Sequence, residues 1–398
     1  MNTDFDVIVV GAGPSGTAAA YRLKQAGRRV LLLDRQKFPR VKPCGGGLTI
    51  KTLALMPWSV APVIERAVKT VRLGVTSGGS ERSELFEADN HVCTFAVREE
   101  YDRLNLEKTI EGGVEFEQAA LTEVDERPDF VRVGTGGKAM TTRYLIGADG
   151  ANSTVRRLTK DGPVRRGFAL EGLVSYDDIA TEPTTEFLFG RASNGYGWLF
   201  PKGDHANVGI YTWDDGVTLG KDQLRAYARE RLGTDRIDQI RGFPLGFGGE
   251  AYTPRRERVI LVGDAAGFAE PLLGEGIYNA VKTGQAVADA IIAAQTGKAR
   301  ARGAVAKAFA PIRRDVARCE RLKRYFYAHL EHSGFGLLRF PLTKAALLRG
   351  FAAGKTVREL TNGVLLSAFF RAASPPSLSE FLAGHSPQDR AASAALRG

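Results

Sequence analysis

The chain has 398 residues, 43% hydrophobic and 25% charged, with a net charge of +10. That is enough chain to bury a sizeable core in two domains, or in one domain with a cap. Three widely spaced cysteines and five scattered histidines argue against a disulfide framework and a dedicated metal site. The mixed composition excludes a disordered or fibrous protein.

Met1 leads almost at once into "FDVIVVG", which leaves no room for a signal peptide, and no run approaches the length of a membrane span. A cytoplasmic protein is expected. "DFDVIVVGAGPSGTAAAYRLKQAGRRVLLLDR" then reads as a βαβ unit. A buried strand over Asp6 to Val10 runs into Gly11, Gly13 and Gly16, spaced GxGxxG. The first glycine allows the tight turn. The second admits a pyrophosphate, and the third lets helix and strand pack closely. A helix from Ser15 to Ala26 aims its first N–H groups at the phosphates. A second strand, Val30 to Leu33, ends at Asp34, whose carboxylate suits a ribose hydroxyl pair, with Arg35 beside it. Strand, turn, helix, strand and acid in this order indicate a dinucleotide site.

"KPCGGGL" follows at Lys42 to Leu48. Gly45, Gly46 and Gly47 let backbone approach a ligand closely, and Cys44 then lies beside it. Three roles for Cys44 stay open: a small packing residue, a group that tunes or protonates, and a redox disulfide partner. The last has little support, since no other cysteine lies near it in sequence. Cys93 in "HVCTFAV" and Cys319 in a helical stripe read as buried small hydrophobes.

"YLIGADGANSTVRR" holds a strand and then Asp149 and Gly150. Segment 166–213 alternates as strands: "GFALEGLVSYD", "TTEFLFG", "YGWLFP", "HANVGIYTW". These suggest an antiparallel sheet. Within it Tyr196, Trp198 and Phe200 share one face of a strand by period two. Lys221 to Gly233 reads as a helix. "RVILVGDAAGFAEPLLGEGIYNAVKTGQAVADAII" gives a strand ending at Gly263 and Asp264, a Pro/Gly-rich loop, and a long helix opening at Gly276 and Ile277. Asp264 suits a ribityl hydroxyl. The helix opening suits the negative charge of a reduced flavin. These two stretches favour FAD over NAD.

In order and spacing the GxGxxG, Asp-Gly and Gly-Asp motifs resemble those of FAD-dependent enzymes with the p-hydroxybenzoate-hydroxylase fold, over about the first 300 residues. "KFPRVKPCGGGL", "YGWLFP" and "EPLLGEGIYNAVKTG" narrow the resemblance to the geranylgeranyl reductase family. It implies an α/β fold: a Rossmann-type FAD-binding domain, an antiparallel-sheet substrate domain and a C-terminal helical segment. The FAD domain is expected over 1–75, 95–160 and 250–300, and the substrate domain over 76–94 and 161–249. A basic helical segment covers 301–372 and a tail 373–398.

The resemblance implies FAD contacts at Gly11, Gly13, Ser15, Gly16, Asp34, Arg35, Cys44, Gly45, Gly47, Arg98, Leu121, Asp149, Asp264, Gly276 and Ile277. It implies a substrate pocket of Tyr196, Trp198, Phe200 and Pro201, with Cys44, Tyr196 and Trp198 at the reacting centre. The implied reaction is saturation of C=C bonds in a prenyl chain on a lipid, chlorophyll-type ester or quinone. The reductant is NAD(P)H or a ferredoxin-like donor. A monooxygenase or halogenase of the same fold, and a lipid-binding flavoprotein without turnover, are the alternatives.

Residues 298–371 carry 16 Lys/Arg against 4 Asp/Glu. Arg313, Arg314, Arg318, Arg321, Lys323 and Arg324 surround the apolar stripe Ile312, Val316, Cys319, Leu322 and Phe326 on a helix over 302–333. Cationic and apolar surface together over 302–371 suits an anionic membrane face, and a solvated helical domain is the competing reading. No nucleic-acid motif accompanies the charge.

Overall fold

The computed structural model describes residues 3–296, 301–331 and 349–363. The expected tail, 373–398, and most of the apolar runs beyond 331 lie outside the described residues. The chain divides into two compact units. The first comprises Met1–Val41, Asp102–Gly167 and Pro244–Glu320; the second comprises Lys42–Tyr101, Phe168–Phe243 and Arg321–Gly398. Residues 42–75 and 95–101, expected in the FAD domain, thus go with the second unit.

The first unit is built on a seven-stranded sheet. Its order is Glu115–Gln118, Val30–Asp34, Phe5–Val10, Lys138–Gly147, Val131–Thr135 and Leu121–Glu126, with Val259–Leu261 alongside Lys138–Gly147. Phe5–Val10 pairs in parallel with both Val30–Asp34 and Lys138–Gly147. Parallel strands need buried apolar faces, and Val7, Ile8, Val9, Leu32 and Leu33 are fully buried. Helices Pro14–Gln25 and Ile277–Thr296 pack so closely that a Cβ at Gly284 would lie 2.2 Å from the Ser15 carbonyl oxygen.

The second unit holds a seven-stranded sheet, largely antiparallel. Its order is Asp238–Phe247, Arg165–Ser175, His205–Thr212, Gly195–Pro201, Glu186–Phe189, Thr70–Ser77 and Ser80–Glu87. Register assigns its two faces. Leu170, Leu188, Leu199, Val208 and Ile210 form an aliphatic face with Leu224, Tyr227 and Ala228 of helix Lys221–Leu232. The opposite face is aromatic. Trp198 stands opposite Phe187 and Gly209, and Tyr196 stands opposite Phe189 and Tyr211. A three-stranded sheet, Gly47–Thr49, Cys93–Ala96 and Ile64–Val68, completes the unit.

Helix Ala301–Ala328 is the basic helix. Ile312, Val316 and Cys319 are buried along it as the stripe requires. No described helix is long and apolar enough to cross a membrane.

Candidate functional site

The glycine turn of the first unit is fixed by space. Gly11 has φ +104°, and a Cβ there would come 2.4 Å from the Ala148 carbonyl oxygen. A Cβ on Gly16 would sit 1.8 Å from the Gly11 carbonyl oxygen, so only glycine lets helix meet strand here. Gly13 differs. Its Cβ would meet nothing nearer than an Arg40 guanidinium nitrogen at 3.5 Å. That opening lies over the first turn of Pro14–Gln25, which carries no acidic residue. Arg40 is held by a 3.1 Å ion pair to the fully buried Asp102. A cation, a helix N-terminus and a Cβ-sized gap fit a pyrophosphate.

Asp34 accepts from the Ala12 N–H at 2.8 Å and the Gln36 N–H at 2.9 Å. The carboxylate therefore braces the glycine turn, with lone pairs left over for a ribose. Arg35 is exposed. Asp264 lies in the turn Gly263–Ala266, and a Cβ on Gly276 would be 3.5 Å from its carboxylate. Gly276 accepts from the Ala280 N–H at 2.9 Å and so opens helix Ile277–Thr296. Asp264, Gly276 and Ile277 thus come together as the motif requires.

Other assignments receive structural work instead. Asp149 accepts from the Thr154 N–H at 2.6 Å and the Val155 N–H at 3.1 Å, capping helix Thr154–Leu158. Burial pushes its carboxyl up, against those hydrogen bonds. Ser15 packs against Gly263, 3.0 Å from where a Cβ would be. Leu121 is a core residue. Arg156, which the motifs did not single out, donates to the Ala265 carbonyl at 2.7 Å and fixes the turn that presents Asp264.

In the second unit, "CGGG" lies on the aromatic face. A Cβ on Gly45 would come 2.6 Å from the Phe200 ring and 3.2 Å from Trp198 Nε1. Gly46 has φ +70°, and its Cβ would meet the Ala96 carbonyl oxygen at 1.9 Å. These glycines are required by the sheet and strand beneath them. Phe200 stacks on Phe95 at 4.8 Å and packs against Phe187 at 5.1 Å. Tyr196, Trp198 and Phe200 are all buried. Pro201 is corrected out of this group: it pairs with Ala206 and alternates to the opposite face. Arg98, the first residue of helix Arg98–Glu111, is buried. Cys93 is half-buried rather than buried, although it begins the central strand of the three-stranded sheet. Its thiol lies 3.6 Å from where a Cβ on Gly47 would be, a proximity the sequence separation hid. All three cysteines are free thiols.

A polar cluster, absent from the motif reading, sits on the same face. The Cys44 N–H donates to Glu171 Oε1 at 2.7 Å, and the Gly46 N–H donates to Cys44 Sγ at 3.4 Å. Trp198 Nε1 donates to Asn207 Oδ1 at 2.7 Å, and the Asn207 side chain also hydrogen-bonds Glu171. Lys202, 2% exposed, donates to the Ala96 carbonyl at 2.9 Å. Burial pushes the Glu171 carboxyl up and the Lys202 ammonium down, each against the opposing charge of the other.

Residues 4–169 match the model of the FAD binding domain. The geranylgeranyl diphosphate reductase of Rhodobacter capsulatus is 31% identical over 308 residues, covering 73% of this chain and 75% of the relative. The chain belongs to the geranylgeranyl reductase family. The menaquinone reductase of Mycolicibacterium smegmatis is 30% identical over 73% of this chain and 76% of its own. A geranylgeranyl bacteriochlorophyll reductase-like protein from Thermoplasma acidophilum shares the fold, with a TM-score of 0.63, 21% identity and 95% of each chain covered. This member of the family is an FAD-dependent oxidoreductase. The first unit fits the cofactor through the opening over Gly13, the helix N-termini at Pro14 and Ile277, and the carboxylates of Asp34 and Asp264.

Proposed function

We propose that this reductase saturates C=C bonds of a prenyl chain borne by a lipid, a chlorophyll-type ester or a quinone. Relatives named geranylgeranyl diphosphate reductase and menaquinone reductase support this reading. The observation that carries the reading is the aromatic face. Tyr196, Trp198, Phe200 and Phe187 stand in adjacent register positions of one sheet, with the Cys44 loop seated on them. Such a wall binds a prenyl chain by dispersion and apolar burial and excludes water from a reacting alkene.

Gly11, Gly13, Gly16, Asp34 and Arg40 hold the ADP part of FAD, and Asp264, Gly276 and Ile277 hold its ribityl and ring end. Arg98, Cys44, Gly45 and Gly47 belong to the second unit. When bound and reduced, FAD supplies the hydride. NAD(P)H or a ferredoxin-like protein supplies the electrons.

The test is anaerobic. The FAD-loaded enzyme is reduced with dithionite and mixed with geranylgeranyl-bearing lipids, quinones and diphosphates in turn. The expected result is flavin reoxidation with a product heavier by two hydrogens per turnover. Reoxidation by oxygen alone, with a hydroxylated product, would instead establish a monooxygenase of the same fold. Reoxidation by neither route, with prenyl lipid bound, would establish a carrier.

A further inference from the structure

Each double bond saturated consumes one proton, and the motifs assign no residue to supply it. The second unit narrows the choice. Glu171 stands opposite Gly209, and Gly209 stands opposite Trp198 on its other side. The three therefore occupy one row across the sheet and share the aromatic face. Gly209 contributes no side chain, and the indole lies over it: a Cβ there would fall 2.0 Å from the ring. The Glu171 carboxyl is thus the acid that stands in line with Trp198 on the wall assigned to the prenyl chain.

The carboxyl is 9% exposed and surrounded by groups that stabilise its ionised form. The Cys44 N–H reaches it at 2.7 Å. Asn207 is held by Trp198 Nε1, which donates to Oδ1 and so turns the amide N–H groups toward Glu171. Lys202 and Arg98 both exert their charge on it. Lys202 in turn faces Cys44, Glu171, Glu65 and Arg98, and its ammonium donates to the Ala96 carbonyl.

We propose that Glu171 is the proton donor of the reduction, with Asn207, the Cys44 N–H and Lys202 holding the carboxylate that remains. This rests on the prenyl-reductase reading above. FAD, when bound and reduced, would supply the hydride to one alkene carbon and be oxidised by the two electrons it gives up. The π pair forms the second C–H bond with the proton of Glu171, whose O–H bond breaks. Solvent then returns the proton. A donor of this kind must keep its proton before the reaction and lose it readily during it. Burial supplies the first property, holding the carboxyl protonated to higher pH than an ordinary glutamate. The prearranged donors supply the second, because they need not reorganise as charge appears on the carboxylate.

Three measurements test this. First, single-turnover reoxidation of the reduced wild-type enzyme by a geranylgeranyl lipid is followed across pH. Its rate is expected to fall as pH rises through the Glu171 titration. If no prenyl compound reoxidises the flavin, the reductase reading fails and this proposal falls with it. Second, Glu171→Gln is expected to bind FAD as the wild type does, to reoxidise at least about 100-fold more slowly, and to lose the pH dependence. Wild-type rate and profile in this variant overturn the proposal while leaving the reductase reading intact. Should Glu171→Gln not fold, Glu171→Asp carries the same comparison: a slowed but still pH-dependent rate supports the proposal, and an unchanged rate overturns it. Third, an infrared titration of the cofactor-free protein should show a protonated-carboxyl band in the wild type that persists above the range of ordinary carboxylates. Because burial also pushes up the Asp149 and Glu186 carboxyls, the band is read in the difference between wild type and Glu171→Gln, and identical bands in the two overturn the assignment.

Discussion

One hydrogen bond, from the Cys44 N–H to Glu171 Oε1 at 2.7 Å, joins residues 127 apart in the chain. It ties the cysteine-glycine loop to the edge of the aromatic face through a carboxyl that burial pushes up. Folding thus raises this group above the ordinary glutamate value of about 4.3. The native state then binds more protons than the unfolded chain between the two values. The carboxyl's stabilising contribution is complete below the unfolded value and is lost as pH rises through the folded one. Glu171→Gln has no such proton. Its melting temperature, relative to the wild type in cofactor-free protein, should therefore climb as pH rises through that window. A difference constant with pH would show that the carboxyl titrates as it does in water.

The fit of the loop to the wall gives a second prediction. A methyl at position 45 would enter the Phe200 ring, so Gly45→Ala should destabilise the protein by about 1–3 kcal/mol. Phe200→Leu vacates part of that space. The double variant should recover some of the loss, giving a coupling above about 0.5 kcal/mol in a double-mutant cycle. Strict additivity in denaturant melts would mean that the two residues do not meet.

How much of this was readable from sequence depends on the distance over which residues act. Gly11, Gly13, Gly16 and Asp34 form one local unit of strand, turn, helix and strand, so spacing alone identified it. The same holds for Asp264 and Gly276, which are joined by a single loop. Alternation placed Tyr196, Trp198 and Phe200 on one face, and it equally excludes Pro201, which a motif match carried in. Glu171, Lys202 and Asn207 escaped because their meaning comes from partners on other strands and loops: Cys44 for Glu171, Ala96 for Lys202. A glutamate in "GFALEGLVSYD" looks like an ordinary polar position until register sets it beside Gly209 and Trp198. Asp149 shows the opposite case. Its motif is real, but the carboxylate is engaged in capping the next helix.

The glycine turn separates folding from binding. A Cβ at Gly16 collides with the Gly11 carbonyl, whereas one at Gly13 enters open space beside Arg40. Gly16→Ala should lower the melting temperature of cofactor-free protein or prevent folding. Gly13→Ala should leave that melting temperature nearly unchanged and reduce FAD retention. Equal effects of the two on stability would contradict the fit of a pyrophosphate over Gly13.

Arg40 has two tasks. Its ion pair with Asp102 neutralises a carboxylate that is wholly buried, and its guanidinium borders the Gly13 opening. Arg40→Met should cost about 3 kcal/mol in denaturant unfolding, the order expected when a buried pair loses one member. Arg40→Met combined with Asp102→Leu should recover much of that stability but not FAD affinity. Recovery of both would assign Arg40 to structure alone.

The basic helix supplies the last prediction. Along Ala301–Ala328 not all the cations point outward. Lys323 is buried with its ammonium 4.0 Å from the centre of the Trp213 ring, and Arg313 donates to the Glu250 carbonyl at 3.2 Å. The exposed positions Lys307, Pro311, Arg314, Arg321 and Tyr325 recur at helical spacing on one stripe, and Tyr325 is 65% exposed. Cations with an exposed aromatic on one stripe match an anionic membrane surface, where each basic side chain contributes about 1 kcal/mol. Such attachment would bring the enzyme to a substrate dissolved in lipid. The protein should float with vesicles containing phosphatidylglycerol and not with neutral ones. Added salt should release it, since the attraction falls away within a Debye length. Lys307→Gln, Arg314→Gln and Arg321→Gln together should weaken partitioning by roughly 100-fold while leaving FAD content unchanged. Equal flotation of this triple variant would place the attachment elsewhere on the chain. No flotation of the wild type would remove the membrane role of this helix.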